Sequence, residues 1–257
     1  MAKISIKGQV FDIDLVAFDK DGCLFDSVSF WLSYAQARYE QLVVGGISEE
    51  VARHWLAVEG AYGEEDENGT FKVNKIDPVG ALAVASPDEE VFICATILME
   101  HCKMRWTKAR EFVTKAFAQA DKNMKLEECA IPKKGFPDVF HRLTAAGIPF
   151  GVATSDNSDR AYRAIAKYTD ASALSFIYTG DDVKSNKPNP DLLLLISKKF
   201  NVPTSRILMV GDNYVDVAMA KNAGSIGMGI PEFENTKKRM EKYATVIAES
   251  LDDLVIL

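Results

Sequence analysis

The chain has 257 residues, 47% of them hydrophobic and 26% charged, and its 30 Lys and Arg against 37 Asp and Glu give a formal charge of -7. This composition argues against a disordered, collagen-like or disulfide-stapled chain, and the negative balance offers no general attraction to nucleic acid or to a membrane surface. No stretch approaches the roughly 18 uninterrupted apolar residues of a membrane span. The segment Met1-Ala2-Lys3-Ile4-Ser5-Ile6-Lys7 lacks the apolar core of a signal peptide, so a cytoplasmic protein is expected. Cys23, Cys94, Cys102 and Cys129 form no CxxC pair and are expected to be free thiols in a reducing compartment.

Taken in chain order, Ile4, Ile6, Val10, Phe11 and Ile13 flank Gly8 and predict a small edge hairpin. The run Leu15-Val16-Ala17-Phe18 stops abruptly at Asp19, as a strand buried on both faces would. From residue 27 to 134 the pattern becomes helical, with helices expected near 30–42, 48–59, 87–102 and 108–120 and few strand signals. Within it, the acidic, Gly-bounded segment 63–69 is expected to be a solvated loop, since it lacks the alternation of a calcium loop. Strand-like runs then return at 149–153 before Thr154, at 176–178, at 206–210 before Gly211-Asp212, at 225–228 and at 245–247, with helical patterns at 137–146 and 190–200. The alternation predicts an α/β fold: a doubly wound, mainly parallel sheet formed by 1–26 and 135–257, carrying an inserted helical domain over 27–134.

In an open parallel sheet, ligands collect at the carboxyl ends of the strands. Asp19 and Asp21 follow the first long run, Thr154 another, and Asp212 with Asp216 a third, while Lys187 lies in the loop Asn186-Lys187-Pro188-Asn189-Pro190. Singly, each acid reads best as a surface or capping carboxylate. Together they have no shared structural cause. Several carboxylates and a lysine on one rim suit a hard divalent cation such as Mg2+ and a phosphoryl group. A carboxylate can serve there as nucleophile, and a second acid can protonate the leaving oxygen and then activate water. Thr154 is less secure, because Thr154, Ser155, Asp156 or Asn157 could instead cap a following helix.

Asp19-Lys20-Asp21-Gly22-Cys23-Leu24-Phe25-Asp26-Ser27 resembles the first motif of the haloacid dehalogenase superfamily. Thr154, Lys187 in Lys-Pro-Asn-Pro-Asp, and Gly211-Asp212-Asn213-Tyr214-Val215-Asp216 resemble its later motifs in the same order. The inserted segment resembles the C1 cap of the branch that holds phosphoglycolate phosphatase-like and beta-phosphoglucomutase-like proteins. The resemblance implies a Mg2+-dependent phosphatase acting on a small phosphorylated metabolite, phosphoglycolate-like or a sugar phosphate, through an aspartyl-phosphate. It implies Asp19 as nucleophile and Asp21 as acid and base, with Mg2+ on Asp19, Asp212 and the Asp21 carbonyl. Thr154, Ser155, Lys187 and Gly22 would meet the phosphate, and Asp216 and Asn213 would support the site from behind. Neither nucleic acid nor membrane is expected as a partner, and the chain would be a monomer or homodimer.

Cys23 stands where the family most often has Thr, which raises the question of oxidation if the thiol is accessible. Cap residues that read the leaving group are the least legible, and Lys72, Lys75 and Arg105 are the candidates. His54, His101 and His141 lack acidic or cysteine partners at ligand spacing and are assigned no role. The alternatives are a phosphomutase or a phosphonoacetaldehyde hydrolase of the same superfamily and, from another class, a phospho-acceptor signalling module. Asp21 argues against a dehalogenase, which needs no proton donor for its halide.

Overall fold

The computed structural model of the chain describes residues 2–77, 79–124, 129–156, 158–169 and 171–257. It divides into two compact units, Met1–Ser27 with Ala130–Leu257, and Val28–Cys129. The second boundary precedes residue 134 because residues 131–133 pair back onto the first motif: Asp26 N–H donates to Ile131 O at 2.8 Å and Lys133 N–H to Leu24 O at 2.9 Å.

In the first unit, β1 (Ala2–Ile6) and β2 (Gln9–Ile13) form the expected hairpin, turned by Lys7 and Gly8 in the left-handed region. Strand β3 is Leu15–Phe18. In the second unit, β4 (Ala61–Glu65) and β5 (Phe71–Ile76) form an antiparallel pair. Back in the first unit follow β6 (Phe150–Ala153), β7 (Phe176–Tyr178), β8 (Ile207–Gly211), β9 (Ile226–Gly229), β10 (Val246–Ile247) and β11 (Leu254–Ile256). A six-stranded parallel sheet has the order β10-β9-β8-β3-β6-β7, with β3 between β8 and β6. Strand β11 returns to pair with β1, completing a three-stranded antiparallel sheet that the early hairpin pattern did not announce.

The central strand is apolar throughout because both of its faces are covered. Val16 and Phe18 join a core with Val139, Phe140 and Leu143 of the helix Asp138–Ala145 and Ile165 of the helix Ser158–Ala166. Leu15 and Ala17 face the opposite core, with Leu192, Leu193 and Ile196 of the helix Asp191–Phe200 and Met219 and Ala220 of the helix Tyr214–Ala223. Period-two alternation thus sends successive residues into two separate cores. Phe18 aligns with Val210 on one side and Val152 on the other, so the polar residues beyond these strands emerge together.

The second unit contains the helices Ser27–Val44, Glu49–Glu59, Ala81–Val84, Pro87–Cys102 and Trp106–Asn123. The first of these begins at the unit boundary. Ser48 caps the second by accepting from Val51 N–H at 3.4 Å, and Ser86 and Glu89 form a reciprocal capping box on the fourth. The β4/β5 hairpin corrects the expectation of few strands, and it takes Gly63, Glu64 and Glu65 out of the expected acidic loop. Only the exposed turn from Asp66 onward remains, where Asp66 Oδ1 accepts from Asn68 N–H and Thr70 N–H at 2.9 Å each.

Buried charge sits at the centre of this unit. Arg38 stacks its guanidinium 3.9 Å from the Tyr34 ring centroid and 4.0 Å from that of Phe117, and it pairs with Glu90, which also accepts from Tyr34 Oη at 2.8 Å. Glu59 accepts from Trp55 Nε1 at 3.2 Å, and its other oxygen has no hydrogen-bond partner among the described residues. Burial, aided by the nearby Glu90, pushes the Glu59 carboxyl up to about 8. No disulfide joins the four cysteines: Cys23, Cys94 and Cys129 are buried and Cys102 is partly exposed.

Candidate active site

Asp19 follows directly on β3, and its backbone N–H donates to Val210 O at 2.8 Å, tying the first turn to the neighbouring strand. The Lys187 ammonium lies between two carboxylates, donating to Asp19 Oδ1 at 2.6 Å and to Asp216 Oδ1 at 2.7 Å, with its side chain 2% exposed. Burial alone would lower the Lys187 pKa, but the two acids outweigh it and raise it, so the amine stays charged. Asp216 sits in the first turn of the helix Tyr214–Ala223 and accepts from Asn213 N–H at 3.1 Å.

Carboxylate oxygens of Asp19, Asp212 and Asp216 lie within 4.8 Å of one another. Burial pushes the Asp212 carboxyl well above the usual carboxylate range, with Asp216 and Asp19 adding repulsion, and Asp216 is pushed up to about 6 mainly by burial. Three acids crowded this way repel one another until a cation relieves them. Oxygen donors in a buried cluster fit a hard divalent ion. Two glycines make the crowding possible: a Cβ on Gly22 (φ +79°) would collide with the Asp212 carboxylate, and one on Gly211 with that of Asp216.

Asp21 sorts apart from this cluster. Its carboxylate accepts from Lys20 Nζ, at 2.5 Å for Oδ1, and burial pushes it up to about 6 against the pull of that ammonium. Lys20 itself has a side chain 1% exposed and reaches Asp156 Oδ2 at 3.1 Å, and Arg160 Nε donates to Asp156 Oδ1 at 2.6 Å. From the sequence, Lys20 and Arg160 are given no role, and Asp156 only that of a possible helix cap. The i, i+4 spacing of Asp156 and Arg160 is the signal available for that pair, while a lysine is by default a surface residue. Lys133 and Glu232, paired at 3.5 Å, were also missed; both act on the Asp212 charge, in opposite senses.

Thr154 is buried at the end of β6, its N–H donating to Tyr178 O at 3.1 Å and its Oγ1 accepting from Asp156 N–H at 3.2 Å. Ser155 beside it is partly buried, and Asn157 lies outside the described residues. The Cys23 side chain is fully buried, its Sγ donating to Val210 O at 3.5 Å, and burial with the nearby acids raises its pKa well above the ordinary thiol value. The expected question of oxidation is thereby answered: this thiol is neither accessible nor ionised. Lys72 and Lys75 are exposed on β5, and Arg105 is exposed just before the helix Trp106–Asn123.

This rim at the carboxyl ends of β3, β6 and β8 is accompanied by a family match over residues 13–224, to the model described as haloacid dehalogenase-like hydrolase. The chain belongs to that family of hydrolases. A phosphoglycolate phosphatase of Escherichia coli (strain K12) is 30% identical over 119 residues, 46% of this chain and 47% of that one, so the match spans about half the length of that relative. A phosphoglycolate phosphatase of Vibrio parahaemolyticus is 25% identical over 245 residues, 95% of each chain. Among solved structures, one described as a "predicted phosphoglycolate phosphatase" from Haemophilus somnus superposes with a TM-score of 0.68 at 16% identity, covering 94% of this chain and 96% of its own. CbbY from Rhodobacter sphaeroides, in complex with phosphate, superposes with a TM-score of 0.61 at 20% identity, covering 93% and 95%. No helix among the described residues is long and apolar enough to cross a membrane.

Proposed function

We infer that the chain is a Mg2+-dependent phosphatase of small phosphate monoesters, working through an aspartyl-phosphate on Asp19. The observation that carries this reading is the Lys187 ammonium held between Asp19 and Asp216 at 2.6 and 2.7 Å, with Asp212 in the same cluster. A lone acid cluster would repel a phosphate. Here a fixed cation stands beside the nucleophile, and the side chains of Asp19, Asp212 and Asp216 would hold a second positive charge. When bound, Mg2+ would shield the acids and neutralise charge on the phosphoryl oxygens.

In the proposed reaction, an oxygen of Asp19 attacks phosphorus, an Asp19 O–P bond forms and the ester P–O bond breaks. Asp21, protonated, gives its proton to the leaving oxygen. Its pKa near 6 suits an acid that must hold a proton and release it near neutral pH. In the second half, the Asp21 carboxylate takes a proton from water, the resulting hydroxide attacks phosphorus, and orthophosphate leaves with Asp19 restored. Lys187 and the Thr154 hydroxyl are assigned to the phosphoryl oxygens throughout, and the backbone at Gly22 and Ser155 to their surroundings.

The names of the relatives favour a phosphoglycolate-like substrate, and a sugar phosphate fits the same chemistry. The charge of -7 disfavours nucleic acid or an anionic membrane as partner, so the cations of the site would gather a small anion locally, and we place the reaction in the cytoplasm. The reading is tested with a panel of phosphate esters assayed with and without Mg2+, in the wild type, Asp19→Asn and Asp21→Asn. Turnover should require Mg2+ and vanish in Asp19→Asn. Unchanged turnover in that variant would overturn it.

A further inference from the structure

The mechanism above uses Asp21 but leaves unexplained how its carboxylate is held. Lys20, the residue between the two motif acids, turns its side chain into the protein and is 1% exposed, whereas Asp21 is 10% exposed. An ammonium buried that deeply is costly unless it is paired. Lys20 meets two carboxylates, Asp21 and Asp156, and Asp156 is clamped in turn by Arg160 through Nε at 2.6 Å and through Nη2. The charges alternate in sign along the row Asp21, Lys20, Asp156, Arg160. Its far end rests on the helix Ser158–Ala166, where Arg160 is buried. The near end is the acid on which proton transfer depends.

We propose that Lys20, anchored by Asp156 and Arg160, is a positioning residue that fixes the Asp21 carboxylate for proton transfer to the leaving oxygen. Lys20 touches neither substrate nor reacting atoms in this scheme and acts only through Asp21. Geometry supports this over a purely structural ion pair: a salt bridge serving the fold alone would be complete with Asp156 and Arg160, yet Lys20 reaches further, to both oxygens of Asp21. The inference rests on the phosphatase reading. It adds that the aim of Asp21 is set from behind, by a residue the substrate never meets.

The distinguishing measurement is the dependence of kcat/KM on the leaving group. An alkyl phosphate such as glycerol 2-phosphate leaves as a strongly basic alkoxide and needs the proton, whereas p-nitrophenyl phosphate leaves as a stable phenolate and scarcely does. Lys20→Met should lower kcat/KM for the alkyl ester by roughly a hundredfold, the scale of general acid catalysis, and for the p-nitrophenyl ester by only a few-fold. Lys20→Arg, which keeps the charge, should recover part of the alkyl activity. Asp156→Asn leaves the Lys20 to Asp21 contact in place and loosens only its anchor. It should show the same selective loss on a smaller scale, and it carries the test if Lys20→Met fails to fold. Equal losses on both esters, or none on either, would overturn the positioning role while leaving the phosphatase intact. A wild type inactive on every ester would instead overturn the phosphatase reading, and this inference with it.

Discussion

Around Arg38 in the second unit, a buried guanidinium is stacked on Tyr34 and Phe117 and paired with Glu90, so positive and negative charge meet within one packed core. Around Asp19 in the first unit, the Lys187 ammonium is shared by the buried Asp19 and Asp216, with the half-buried Asp212 beside them, at the carboxyl ends of parallel strands. Both clusters hold charge largely away from water. They differ in balance: in the first, Arg38 and Glu90 offset one another and burial favours the protonated form of Glu59, while the second carries an excess of negative charge that a bound cation would offset. The contrast teaches that burial of charge is not itself a sign of function. An unmatched remainder is.

Mutation should separate the two clusters cleanly, beginning with the largest effect. Asp19→Asn should lower kcat by about 10⁴-fold or more, as loss of a nucleophile does, while its melting temperature without Mg2+ stays level or rises, because one of the repelling acids is gone. Arg38→Met should do the reverse. It leaves Glu90 buried beside a neutral side chain and should destabilise the fold by about 3–5 kcal/mol in chemical denaturation, and the double change Arg38→Met with Glu90→Leu should recover most of that loss.

Glu59 sharpens the comparison through pH. Its folded pKa is raised from an ordinary 4.5 to about 8, so the folded state holds a proton that the unfolded chain has released. Its favourable contribution is full below about pH 4.5 and declines as pH rises toward 8, beyond which it adds no further slope. Glu59→Gln should therefore flatten the fall in stability between pH 5 and 8 by roughly 3–4 kcal/mol, read as melting temperature against pH. The smallest effect belongs to Asp212→Asn, which should stabilise the Mg2+-free protein by about 1 kcal/mol, by relieving a buried repulsion. Under the proposed Mg2+ dependence, the metal should raise the melting temperature of the wild type, and the same variant should abolish that rise.

The parallel core was legible because a strand buried on both faces needs an unbroken apolar run, and Leu15–Phe18, Phe150–Ala153 and Ile207–Gly211 supply one each. Strand order was not legible, since β3 lies next to β8 and β6 through contacts made far along the chain. The β4/β5 hairpin escaped notice because its apolar alternation is confined to Phe71 and Val73 in β5, with Ala61 and Phe71 the buried residues, too short a run to stand out among the surrounding helical patterns. In the site, Asp19, Lys187, Asp212 and Asp216 were found from their positions after strands or before a helix. Lys20 was not, because nothing in one sequence distinguishes a lysine turned inward from the many that face water. The separate environments of Asp21 and Asp19, two residues apart, likewise depend on which way the turn sends each side chain.

The uneven burial of the four cysteines has a practical consequence. With Cys23, Cys94 and Cys129 enclosed and Cys102 partly exposed at the end of the helix Pro87–Cys102, a thiol-reactive fluorophore should attach to the native chain at one place, without any engineering. That place lies in the second unit, away in sequence from Asp19, Asp21, Thr154, Lys187, Asp212 and Asp216. A dye there would report on the second unit by its own emission, a signal separate from the release of orthophosphate.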